Sequence, residues 1–163
     1  MLIDVDSNEV VFEGLSMPHS PRWHRGALYL LDSGRGTFAR VDLAGGRLEE
    51  IAFCPGYARG LAFAGTYAVV GLSRPRGSPG SVETLTGLEL DDALARRNVE
   101  PRAGLLVIDL RSGDIVHWLR LDGVVSELYD VAVLPTVKRP MALGFKTDEI
   151  RRTLRIKGPE SDG

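Results

Sequence analysis

The sequence predicts an all-β fold built from repeated four-stranded antiparallel units, and three observations predict it. The first is an internal repeat. Ser20-Pro-Arg-Trp23-His-Arg-Gly26-Ala-Leu-Tyr-Leu-Leu-Asp-Ser33, resumed at Thr37-Phe-Ala-Arg-Val-Asp-Leu43, matches Gly60-Leu-Ala-Phe63-Ala-Gly65-Thr-Tyr-Ala-Val-Val-Gly-Leu-Ser73, resumed at Ala103-Gly-Leu-Leu-Val-Ile-Asp-Leu110. Ten positions separate the aromatic residue from the closing serine in both copies. The second is the placing of the 19 glycines, which cluster between apolar runs as turn-rich β proteins require. The third is period-two alternation, as in Phe38, Arg40 and Asp42 against Ala39, Val41 and Leu43.

In the first complete unit, residues 20–23 form the inner strand and 27–31 the second. Asp32-Ser-Gly-Arg-Gly36 is the turn, its glycines supplying positive φ. Residues 37–43 form the third strand and 47–53 the outer one, joined through Ala44-Gly-Gly46. In the second unit, 59–63 is inner, 66–72 second, 105–110 third and 115–121 outer. A third unit begins at Leu128-Tyr-Asp-Val-Ala-Val-Leu-Pro135, continues over 139–145 and lacks an outer half. The N-terminal residues 1–15 read as a half unit: Leu2-Ile-Asp-Val, an Asp6-Ser-Asn8 turn, then Val10-Val-Phe12.

Short strands that cannot bury an apolar face alone, repeated along a chain, are the signature of a β-propeller or similar array. The expectation is a partial β-propeller domain over 1–156, about three blades where closed propellers take four to eight, with a frayed polar tail at 157–163. A mixed β-sandwich is the alternative. Too few blades to close a ring suggests a fragment of a longer chain or a homodimer, since uncovered inner strands invite pairing. The half unit 1–15 is expected to pair with 128–145, in the same chain or a second copy. An insertion, 74–102, opens with a flexible Arg74-Pro-Arg-Gly-Ser-Pro-Gly80 loop. It carries one short helix over 90–97, with aspartates at its start and arginines at its end.

The bulk properties narrow the function classes. Apolar residues make up 44% of 163, and the net charge is -2, so no basic surface points to nucleic acid. No run approaches the roughly 20 apolar residues that span a bilayer. Cys54 has no partner for an internal disulfide, and the first residues carry no basic and apolar leader, so a cytoplasmic protein is expected.

Aligning the units on Trp23, Phe63 and Val133 puts His19, Arg59 and Tyr129 in one slot, just before the inner strand. In a propeller that slot opens at the mouth of the central channel. An imidazole there can act as a base, a guanidinium can clamp a carboxylate or phosphate, and a phenol can donate or stack. Glu127 and Asp130 bring two carboxylates beside them. The expected ligand-binding residues are therefore His19, Arg59, Glu127, Tyr129 and Asp130, for a small polar or anionic molecule or a protein partner. The plainer roles are a loop cap for His19, a neighbouring aspartate partner for Arg59, and core packing for Tyr129. His24, His117 and Arg22 read as surface residues, and Ser33-Gly-Arg-Gly36 as a hairpin turn, since it lacks the Lys-Ser/Thr of a phosphate loop. No Cys/His spacing calls for zinc, and neither metal nor cofactor is assigned.

Met17-Pro-His-Ser-Pro-Arg-Trp23, Leu31-Asp-Ser-Gly34, Pro55-Gly-Tyr-Ala-Arg-Gly-Leu-Ala-Phe63, Val70-Gly-Leu-Ser-Arg-Pro75 and Glu127-Leu-Tyr-Asp-Val-Ala-Val-Leu-Pro135 resemble a family of conserved hypothetical bacterial proteins, a domain of unknown function. The likeness runs over 15–156 and takes in Met141-Ala-Leu-Gly-Phe145; the chain resembles the C-terminal half of longer members. A more distant resemblance is to gluconolactonase and strictosidine-synthase-like propellers. It implies a metal-dependent lactonase or esterase, with Asp130 or Glu127 as ligand and His19 as base. Those enzymes hold a divalent metal with a glutamate and asparagines. Where they carry Asn-Gly-Leu this chain carries Arg59-Gly60-Leu61, and arginine does not ligate a cation.

Overall fold

The computed structural model describes residues 1–74, 87–140, 144, 146 and 148. The chain divides into two compact units, Met1–Val133 and Leu134–Gly163. In the second, the described residues include a turn closed by the Val137 amide on the Leu134 carbonyl, and no strand. The tail at 157–163 and the loop at 75–80 lie outside the described residues.

The first unit holds β1 (Leu2–Ile3), β2 (Val10–Phe12), β3 (Pro18–His24), β4 (Ala27–Asp32), β5 (Thr37–Asp42), β6 (Arg47–Phe53), β7 (Tyr57–Ala64), β8 (Tyr67–Ser73), α1 (Glu89–Arg97), β9 (Gly104–Asp109) and β10 (Ile115–Arg120). The eight strands expected for the two complete units are all present, displaced by no more than two residues at either end. They form two antiparallel sheets in sequence order, β3-β4-β5-β6 and β7-β8-β9-β10, beside a separate β1-β2 hairpin. The described chain is thus mostly β, with one short helix and open antiparallel sheets.

The inner strands of both sheets carry a register shift in overlapping positions, between His19 and Arg22 in β3 and between Ala58 and Leu61 in β7. Ser20 (φ 50°) and Gly60 (φ 78°), equivalent in the repeat, both adopt the left-handed conformation there. One strand thereby turns an extra residue out of the ladder, a bulge that re-aims the side chains before it.

The core lies between the sheets. Tyr29, Leu31, Phe38, Ala52 and Cys54 of the first meet Ala58, Leu61, Ala68, Val70, Leu72, Leu106 and Ile108 of the second. Burial pushes the Cys54 thiol up to about 12. His24, expected at the surface, is half-buried instead: its ring stacks on Phe63 at 4.1 Å and 3°, and its Nε2 donates to the Gly65 carbonyl at 3.1 Å. A ring at a strand end is drawn in when an aromatic of the next sheet stands beneath it.

The sheets are clasped at a repeated place. The buried Ser33 hydroxyl donates to the Ala58 carbonyl. Its equivalent, Ser73, donates to the Leu128 carbonyl at 3.0 Å and accepts the Leu128 amide at 2.8 Å. Ala58 and Leu128 are themselves equivalent in the alignment, so each unit's closing serine holds the start of the next unit.

The helix α1 matches the expected one, beginning a residue earlier. Glu89, Asp91 and Asp92 sit in its first turn and Arg96 and Arg97 in its last, and Asn98 (φ 50°) ends it in the left-handed conformation. Its apolar face, Leu90, Ala93 and Leu94, is buried, with Leu90 and Leu94 against Tyr57, Met17 and Phe53; Arg97 lies 4.2 Å over the Phe53 ring. The buried Asp32 carboxylate accepts the Ser16 amide and Arg35 Nη1, both at 2.6 Å, and Arg35 also reaches Glu89 at 3.1 Å. That network ties the entry to β3, the Asp32-Gly36 turn and the helix together.

One expectation about the half units is corrected. Residues 128–134 form no strand, although they begin where the third unit should. The physical reason is the missing ladder: an extended segment is a strand only when its amides and carbonyls find a partner strand. The hairpin β1-β2 forms as expected, and among the described residues of the first unit it pairs with itself. Part of the second expected strand of that unit, 139–145, lies outside the described residues.

Candidate functional site

Gly60 shapes the site. At φ 78°, a Cβ on it would stand 2.5 Å from the backbone carbon of Asp130 and from the Val131 nitrogen. Only glycine allows residues 130–131 to lie so close. On its other side, the Gly60 amide donates to the Ser20 hydroxyl at 3.1 Å. Ser20, Gly60 and Asp130 occupy one slot of the aligned units, and each touches the next. Of the residues just before them, Arg59 and Tyr129 are brought side by side.

Arg59 is the centre of this arrangement. Its side chain is 19% exposed, and one terminal nitrogen, Nη1, stands 3.9 Å from Glu127. Its guanidinium carbon lies 5.8 Å from the centre of the Tyr129 ring. The buried Nε has no hydrogen-bond partner. A loose ion pair and a vacant N–H leave much of the fork's donor capacity unused. Tyr129 is 70% exposed, so it does not pack as core. Asp130 stands 3.7 Å from Arg22 of β3, and both side chains are exposed. Asp130 Oδ1 also accepts the Val131 amide at 2.8 Å.

Of the five expected residues, Arg59, Glu127 and Tyr129 come together and Asp130 adjoins them. His19 does not join by any hydrogen bond: its Nδ1 donates to the Met17 carbonyl at 2.8 Å, the loop-capping role. Arg22 was missed. Its partner is 108 positions away in sequence, and nothing local marks it. Among the described residues no group of three or more His, Cys, Asp or Glu side chains is placed to hold a metal ion. Glu127 and Asp130 each face an arginine instead.

Elsewhere, Arg111 pairs with Asp109 at 2.7 Å, which holds that carboxyl down at about 2. It closes the β9-β10 turn. No helix among the described residues is long and apolar enough to cross a membrane. No curated protein matches the chain. Residues 1–143 match the family described as Domain of unknown function (DUF4915), a span that includes β1-β2, both sheets and the Arg59 cluster, and the chain therefore belongs to that family.

Proposed function

We propose that the two sheets are consecutive blades of a propeller-type array, and that the ends of their inner strands bind a small anionic molecule carrying a carboxylate or phosphate. The blade reading is supported by sheet order that follows the sequence and by the serine clasp repeated at Ser33 and Ser73. The observation that carries the ligand reading is the Arg59 guanidinium, four-fifths buried, with a loose carboxylate partner and an unpaired Nε. Glu127 at 3.9 Å holds the arginine without saturating it, so an incoming oxyanion competes on favourable terms. Tyr129 offers a ring face and a hydroxyl to the rest of the ligand. Arg22, paired with Asp130, adds a second cation close by.

A hydrolase reading has less to rest on, because the carboxylates that would ligate a cation face arginines. A partner-docking role for α1 is disfavoured by its apolar face, which the chain's own core already covers.

The test is a thermal-shift screen of carboxylates and phosphates on the whole chain. A ligand at a hundred times its dissociation constant adds about 2.7 kcal/mol, or about 5–10 °C for a protein of this size. Arg59→Ala should lose that gain. An Arg59→Ala protein that responds as the wild type does, or a wild type that no anion stabilises, refutes the reading.

A further inference from the structure

We infer that a hollow between α1 and the first sheet binds a small molecule carrying two negative charges and one ammonium. The inference is independent of the Arg59 reading. Glu89, Ala93, Arg96 and Arg97 stand at i, i+4, i+7 and i+8 of the helix and so share one face. Ala93 ends at its Cβ, which leaves that face low between its acidic and basic ends. Opposite it, Phe53 and Glu50 of β6 complete a hollow of about 160 Å³. That is below the roughly 300–1,000 Å³ of a drug-sized site, so it suits a small metabolite.

The charges around the hollow are only partly satisfied. Arg35 and Glu89 answer each other at 3.1 Å, and Arg35 is held again by the buried Asp32. Arg96, Arg97 and Glu50 line the same space, and among the described residues none of them forms an ion pair. Opposite charges that share a hollow without meeting leave a gap for a ligand that carries both signs. Arg97 is already ordered for that task. Its guanidinium lies 4.2 Å over the Phe53 ring, which fixes its plane and leaves the N–H groups at its edge. The helix dipole accounts for cations in the last turn. It does not account for an unpaired Glu50 beside them.

The uncommitted charge selects the ligand class. Two guanidiniums and one carboxylate are left over. A simple anion meets Glu50 unfavourably, and a simple cation meets two arginines. A molecule with two negative charges and one ammonium answers all three: its oxyanions accept from Arg96 and Arg97, and its ammonium donates to Glu50. An α-amino dicarboxylate and an aminoalkyl phosphate share that pattern.

Calorimetric titration of the full chain tests this with L-aspartate and phosphoethanolamine. Each is compared with its counterpart lacking the ammonium, succinate and ethyl phosphate. At least one of the two should bind roughly tenfold tighter than its counterpart, and which one does so names the oxyanion. Glu50→Gln should bring probe and counterpart to within about twofold of each other, and Arg96→Gln and Arg97→Gln should each weaken the probe roughly tenfold. All three residues are exposed, so these variants should keep the β circular dichroism. Should Arg97→Gln unfold on losing its seat over Phe53, Arg96→Gln carries the test. No binding by either probe, equal binding by the counterparts, a preference that survives Glu50→Gln, or wild-type affinity in Arg96→Gln overturns the proposal. Arg59→Ala should leave the titration unchanged; binding lost in that variant places the probe at the Arg59 cluster and overturns this proposal alone.

Discussion

Replacing Gly60 by alanine tests the junction on which the candidate site depends. Two costs add. A residue with a Cβ pays about 1 kcal/mol to sit at φ 78° in the left-handed region. The new methyl would also stand 2.5 Å from the Asp130 carbon and the Val131 nitrogen, which are backbone atoms and cannot swing aside. Displacing them is an overpacking cost of about 1–3 kcal/mol. Gly65 supplies the control: its φ is 62°, and a Cβ there meets nothing within 4 Å. Gly65→Ala should cost the conformational penalty alone, about 1 kcal/mol. The difference between the variants, about 2 kcal/mol, corresponds to about 4–8 °C in Tm, read by calorimetry or urea unfolding. Amide exchange should quicken at Val131 in Gly60→Ala and not in Gly65→Ala. If the two variants melt together and protect Val131 equally, residues 130–131 do not rest on Gly60, and the convergence of Arg59, Tyr129 and Asp130 fails with it.

The serine clasps carry a second expectation. Ser33→Ala leaves the buried Ala58 carbonyl short of a donor and should cost about 1–3 kcal/mol, while Ser73→Ala should release the Leu128 amide to exchange, since its only acceptor among the described contacts is that hydroxyl. Asp109 predicts a pH dependence: its carboxyl falls from the ordinary 3.8 to about 2 in the folded chain, so the stability it contributes is present above pH 3.8 and lost as pH falls toward 2. The stability gap between wild type and Asp109→Asn, followed by urea unfolding between pH 6 and pH 2, should therefore narrow below pH 4; a gap that stays constant counts against the Arg111 pairing.

The strands of the two complete units were legible because their signals are local. Alternation fixes a face, glycine fixes a turn, and both act within a few residues: β6 lies at the residues its pattern marks, and α1 starts one residue early because Glu89 serves its first turn as well as Leu90 does. The third unit failed for the opposite reason. Leu128 to Leu134 has strand-like residues, but pairing is a property of two segments, and pattern in one cannot supply the other. The Arg59 slot was legible because the repeat counts positions faithfully from one inner strand to the next. Its partners were not: the Arg22–Asp130 pair joins residues from different units, and the stacking of His24 on Phe63 depends on how one sheet lies on another. Arg35 looked like a turn residue and is one, yet it also bonds Asp32 and reaches Glu89, 54 positions from it.

Structure and specificity are carried by adjacent residues at each junction. Ser20, Gly60 and Asp130 make the contacts that hold successive units together, through a hydroxyl, a missing Cβ and a bare backbone. Their demands are steric and leave little choice. Arg59 faces no such demand, because the bulge takes it out of the ladder, and Tyr129 lies in no strand, while His19 at the bulge's edge still pairs with Leu31. A histidine, an arginine and a tyrosine can therefore stand in equivalent places without disturbing the sheets. The same separation explains why an unpaired Nε is tolerated at Arg59: the Ser33 and Ser73 clasps and the core between the sheets secure the junction on either side. An orphan buried donor that contributes nothing to that junction costs stability, and a ligand that accepts from the guanidinium recovers it.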